Sequence, residues 1–158
     1  MVRIWFFTNL LNHLCRTAKE KLHLDLTCDD LSGKGIERAK NYLTKVAGID
    51  TPFKSNLWQN IKLFSEVRNK IAHSGGIVDL NKDKDKKLYD TIIKFNNANN
   101  TSTHLKLEQS LEQENLRKIV LTHSFLKTYA AQSLELFLLK ICTYEVSNCK
   151  TKNTMTKP

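Results

Sequence analysis

Near the start of the chain, apolar residues recur at steps of three and four: Ile4, Phe7, Leu11, Leu14, Ala18 and Leu22. That spacing lines one face of a helix and predicts an amphipathic helix over 3–23. Residues 24–35 read as a loop, with Asp29, Asp30, Ser32, Gly33 and Gly35 as its turn chemistry. Within it, Asp29-Asp30 reads as loop or cap rather than as a catalytic carboxylate pair. Ile36, Ala39, Leu43 and Val46 mark a second helix, closed by Gly48. Thr51-Pro52 breaks the chain, and Ser55 or Asn56 caps a third helix. Its apolar stripe is Trp58, Ile61, Phe64, Val67 and Ile71, and Gly75-Gly76 ends it.

Beyond a short apolar stretch at 77–80 comes a Lys/Asp run over 81–87, read as a solvated helix start. Leu88, Ile92 and Phe95 then predict a fourth helix over 86–96. After a polar stretch at 96–103, His104–Glu108 alternates with period two and Lys118–Leu121 is rich in β-formers, so the two are predicted to pair as a small hairpin. Thr122 or Ser124 caps a last helix from about 125 to 145, with a broad apolar face of Phe125, Tyr129, Ala130, Leu134, Phe137, Leu138 and Ile141. These elements predict an all-α fold, an antiparallel helical bundle of four to five helices with a small β-hairpin. One domain is expected over 1–146 and a flexible tail over 147–158. The breadth of the last apolar face suggests that a second copy of the chain covers part of it.

Composition narrows the picture. A chain of 158 residues, 41% hydrophobic and 26% charged, is long enough to bury a core of its own. Five Gly and two Pro leave room for long helices. The net charge is +9, which suits a polyanionic partner, nucleic acid first, and equally a solvated Lys-rich surface. The apolar start is interrupted by Asn9, Asn12, His13 and Arg16 and lacks a small-residue cleavage site, which argues against a signal peptide. The run 134–142 is too short to span a bilayer and carries Glu135 and Lys140. A cytoplasmic protein with no membrane partner is expected. Cys15, Cys28, Cys142 and Cys149 form no CxxC pair, so the thiols are expected to be reduced. His13, Cys15, His23 and Cys28 match no zinc spacing, and neither a metal nor a cofactor is expected. Trp5 and Trp58 read as core rather than as base-stacking platforms, and Glu66 and Lys70 as an ordinary i,i+4 pair.

The candidate chemistry lies in Arg68-Asn69-Lys70-Ile71-Ala72-His73, at the end of the third helix. Arg-to-His spacing alone is permissive, because Arg16…His23 and Arg117…His123 share it. Arg16 and His23 sit on an exposed helix face, and extended chain separates Arg117 from His123. What sets Arg68–His73 apart is Asn69, four residues before His73 and so its neighbour on the helix, and Gly75-Gly76 just beyond, which leaves the helix end open to a ligand. The amide is expected to orient the imidazole. Histidine titrates near neutrality and serves as acid or base, while a guanidinium offers a planar fork for phosphate. Lys70 is a further candidate for phosphate contact.

Residues 62–76, KLFSEVRNKIAHSGG, resemble the signature helix of the HEPN superfamily, whose hallmark is Arg-x(4–6)-His with a polar residue directly after the Arg. Arg68, Asn69 and His73 match it position by position, and residues 35–43 look like the helix that precedes the motif in some bacterial members. The resemblance implies an all-α bundle that dimerises and brings two Arg/His sets together. It implies a metal-independent endoribonuclease of a toxin–antitoxin or phage-defence system, with RNA as substrate, an antitoxin protein as partner, and Arg68, Asn69 and His73 as catalytic residues. Other members are inactive and bind RNA or a partner protein, which is the alternative for this chain. Gly75 stands where a subset of the toxins has a Tyr two residues past the His, so control by modification of that Tyr is not expected.

Overall fold

The computed structural model describes residues 2–98, 105–109, 113–123, 125 and 135–141, with backbone alone for 2–6. The described residues are mostly helical and carry one small antiparallel sheet. The elements are α1 (Val2–Leu22), a 3-10 turn (Cys28–Asp30), α2 (Gly35–Lys45), a second 3-10 turn (Thr51–Lys54), α3 (Asn56–Ser74), β1 (Ile77–Asp79), α4 (Asp83–Ala98), β2 (Leu105–Gln109) and β3 (Leu116–Leu121). Residues 135–141 form a further helical segment, α5. Among the described residues no helix is long and apolar enough to cross a membrane.

The chain divides into two compact units, Met1–Trp58 with Glu135–Pro158, and Gln59–Leu134. The division falls inside α3. The tail at 147–158 lies outside the described residues, as do the predicted positions Tyr129, Ala130, Leu134 and Ser124 and the side chains of Ile4 and Trp5.

In the first unit α1 buries Phe7, Leu11, Cys15 and Ala18. Steps of four, four and three put Leu11 at the centre of that face and Cys15 at one edge; Leu14 is half-buried and Leu22, the last helical residue, is exposed. Ile36, Ala39, Tyr42 and Leu43 are the buried face of α2. Its end is closed by Gly48 at φ 71°, which lets the Ile49 N–H donate to the Leu43 carbonyl at 2.7 Å. The first 3-10 turn is capped reciprocally: the Asp30 carboxylate accepts from the Thr27 N–H and hydroxyl, each at 2.7 Å. These bonds hold the Asp30 carboxyl below its ordinary range, and Asp29-Asp30 serves as cap and turn. Phe7, Phe53 and Trp58 meet Phe137 of α5 with ring centroids 5.4–5.8 Å apart. Trp58 is fully buried and is core, as expected.

In the second unit Ile61, Leu63, Phe64 and Val67 of α3 are buried. Phe64, Phe95 and Phe125 pack edge to face, with centroids 5.0–6.3 Å apart. Thr122 Oγ1 accepts from the Phe125 N–H at 3.3 Å; residues 126–134 of the predicted last helix lie outside the described residues. The predicted hairpin is present: β2 and β3 pair antiparallel with Leu107 opposite Ile119. The structure adds β1 on the other side of β3, with Ile77 opposite Lys118, giving the order β1-β3-β2. Asn96, buried near the end of α4, donates to the Leu105 carbonyl at 2.8 Å and fastens that helix to β2.

Candidate functional site at the end of α3

Three features fix the last turns of α3. Val67 and Phe64 hold its inner face in the core. Gly75 and Gly76 take φ 58° and 81°, a left-handed turn that L side chains rarely adopt. The Gly76 N–H reaches back to the Lys70 carbonyl at 3.2 Å, and the Gly76 carbonyl accepts from the Ile119 N–H of β3 at 2.9 Å. The glycine pair therefore fixes the path of the chain beyond the helix, while His73, Ser74 and Gly75 stay exposed. Gly76 is buried, and a Cβ there would sit 3.2 Å from the Ile119 carbonyl. At Gly75 a Cβ meets nothing within 4 Å. Gly75→Ala is therefore expected to cost about 1 kcal/mol from backbone strain alone, and Gly76→Ala about 2 kcal/mol or more. Urea unfolding of the two variants checks this; equal losses would rule out a part for the Ile119 contact.

On this end Arg68 Nη1 donates to Asn69 Oδ1 at 2.9 Å. Arg68 is half-buried, and its Nε is enclosed without a hydrogen-bond partner. A guanidinium carries five N–H donors, and the bond to Asn69 uses one of them. Asn69 and His73 are exposed. The sequence reading gives the amide to His73; the structure gives it to Arg68, and no described hydrogen bond joins Asn69 to His73. Arg68 and His73 are five positions apart, about 140° around a helix, and Asn69 lies between them in angle. The Arg68–Asn69 bond draws the guanidinium toward the side on which His73 stands.

Lys70 goes elsewhere. Its Nζ donates to both oxygens of Asp85, at 2.8 and 2.6 Å, and the two side chains are 18% and 10% exposed. Asp85 Oδ2 also accepts from the Asp79 N–H at 3.0 Å, so one carboxylate ties α3, β1 and α4 together. Burial would raise the Asp85 carboxyl, but the Asp79 N–H and the Lys70 and Lys82 ammonium groups outweigh it and hold it below its ordinary range. Two expectations are corrected here. Lys70 pairs with Asp85 rather than Glu66, and its ammonium is no longer free for phosphate, because the buried carboxylate binds it more closely than a solvated helix neighbour can. The sequence reading missed Asp85, although a signal was present: residues 85, 88, 92 and 95 continue one stripe, which places Asp85 on the buried face.

The other Arg/His pairs form no cluster. Arg16 and His23 are both exposed, and His23 ends α1 in a left-handed conformation at φ 51°. Arg117 on β3 donates to the carbonyls of Glu114 and Leu116, while His123 is exposed beyond the strand. The chain matches no protein-family model, no curated protein and no solved structure.

Proposed function

We propose that this chain is an endoribonuclease of the HEPN type, an antiparallel helical bundle that works as a homodimer. The observation that carries the reading is the end of α3, where a guanidinium held by Asn69 at 2.9 Å accompanies an exposed histidine one turn on. The reaction is in-line attack of a ribose 2′-OH on the adjacent phosphorus, with departure of the 5′-oxygen. Arg68 stabilises the charge of the phosphorane, Asn69 positions Arg68, and His73 moves a proton. The partner subunit's His73 takes the second proton role across a two-fold axis. The nucleophile belongs to the substrate, which selects RNA over DNA and leaves no step that needs a metal. A net charge of +9 favours RNA association. A cytoplasmic toxin or phage-defence effector, restrained by an antitoxin protein, is the setting that fits this chemistry. Lys70 has no phosphate role in this scheme.

A second reading, a HEPN-like module that binds RNA or a partner protein without cleaving it, draws on one observation. The Asn69 carbonyl is engaged by Arg68, so His73 lacks the side chain expected to orient it. Incubation of the purified chain with mixed RNA in EDTA separates the two. Cleavage abolished by both Arg68→Ala and His73→Ala supports the enzyme; retained binding without cleavage supports the module.

A further inference from the structure

We propose that Cys15 and Cys28 form a dithiol modification site, which a small-molecule disulfide such as oxidised glutathione closes into an intramolecular disulfide. Both are free thiols, Cys15 buried in α1 and Cys28 partly exposed at the start of the first 3-10 turn. Their proximity follows from a chain of contacts within the first unit. Cys15 Sγ lies 3.7 Å from the Ala39 carbonyl of α2. The neighbouring Arg38 grips Asp29, the residue after Cys28, at 3.0 Å. The Tyr42 hydroxyl donates to the Leu26 carbonyl at 2.9 Å, on the other side of Cys28. The segment carrying Cys28 is thus pinned on both flanks to the same stretch of α2 that Cys15 touches. The 3-10 turn that begins at Cys28 packs against α1, which carries Cys15, as well as against α2.

The unequal exposure of the pair assigns the order of events. The Cys28 thiolate attacks one sulfur of glutathione disulfide; a Cys28–glutathione bond forms and one glutathione thiolate leaves. Cys15, which a bulky disulfide cannot reach, then loses its proton to solvent and attacks the Cys28 sulfur, releasing the second glutathione. Two protein thiols are oxidised and one disulfide is reduced. Burial, and after it the adjoining Cys28, pushes the Cys15 thiol up to about 12, with Arg38 acting against this and Asp29 with it. Ring closure is therefore the slow step, and the mixed disulfide accumulates before it. The product would staple α1 to the loop that follows it.

The test uses the full chain with oxidised glutathione, acid quenching and peptide mapping by mass spectrometry. An adduct on Cys28 is expected first, followed by its decay into a Cys15–Cys28 linked peptide that dithiothreitol reverses, with a rise in thermal midpoint. In Cys15→Ser the Cys28 adduct should persist. If that variant does not fold, the wild-type time course still decides. An adduct that appears first on Cys15, a Cys28 adduct that never closes, no adduct on either, or linkage only through Cys142 or Cys149 overturns the proposal.

Discussion

Replacing His73 with alanine is expected to slow RNA cleavage by roughly 100-fold or more, the usual contribution of a positioned proton-transfer group. Its stability should change by less than about 0.5 kcal/mol, because His73 is exposed and has no described hydrogen-bond partner to lose. The lost rate is then chemistry and not folding. Arg68→Ala should cost at least as much, since in the proposed reaction it removes the charge that meets the phosphorane. Asn69→Ala separates positioning from charge. It leaves the guanidinium present but releases Nη1 from the 2.9 Å bond that holds it, so a loss of about tenfold is expected. Asn69→Asp should recover part of that loss, because a carboxylate accepts the same bond. Initial rates on a defined RNA, with thermal midpoints alongside, test the set. Undiminished cleavage by His73→Ala would remove the histidine, and with it the proposed mechanism.

Asp85→Ala is expected to destabilise the chain by about 3–5 kcal/mol, because it leaves the Lys70 ammonium half-enclosed without its partner and the Asp79 N–H without an acceptor. Exchanging both members, Lys70→Met with Asp85→Leu, should recover much of this, since an apolar pair avoids the cost of an unpartnered charge. The pH dependence has a definite sign. The Asp85 carboxyl lies below its ordinary value of 3.8 in the folded chain. Its contribution is therefore complete above about pH 3.8 and is lost as pH falls from there through the lower folded value. Between pH 5 and pH 3 the wild type should lose more stability than Asp85→Asn, measured by denaturant unfolding. Asp30 and Asp50 are also held low, but they are common to both proteins, so they drop out of the comparison. Equal losses in the two proteins would show that the Lys70–Asp85 pair is not the source.

Which parts of the molecule were readable in advance follows from where their causes lie. The helices were readable because their causes are local: apolar steps of three and four, Gly48 after α2, and Gly75-Gly76 after α3. The hairpin was readable from alternation over 104–108 and β-formers over 118–121. Three residues cannot display alternation, so β1 was not recognisable as a strand; pairing of Ile77 with Lys118 makes it one. Partner choice was the least readable level. Helical spacing offered Glu66 to Lys70 and His73 to Asn69, each a plausible neighbour four residues away. A buried carboxylate fifteen residues on took Lys70, and the adjacent Arg68 took Asn69. Asp85, one turn before Leu88 on the same stripe, belongs to the inner face of α4.

The bond from the Ile119 N–H to the Gly76 carbonyl bears on how firmly the histidine is presented. A helix terminus ordinarily frays, so a side chain on its last turn samples many directions. Here the residue two places past the helix is stitched to the central strand of the sheet, and Asp85 holds Lys70 in the turn before. The terminal turn can unwind only if these longer-range attachments give way with it. His73 therefore stands in solvent on backbone tied to the core of its unit, exposed without being loose.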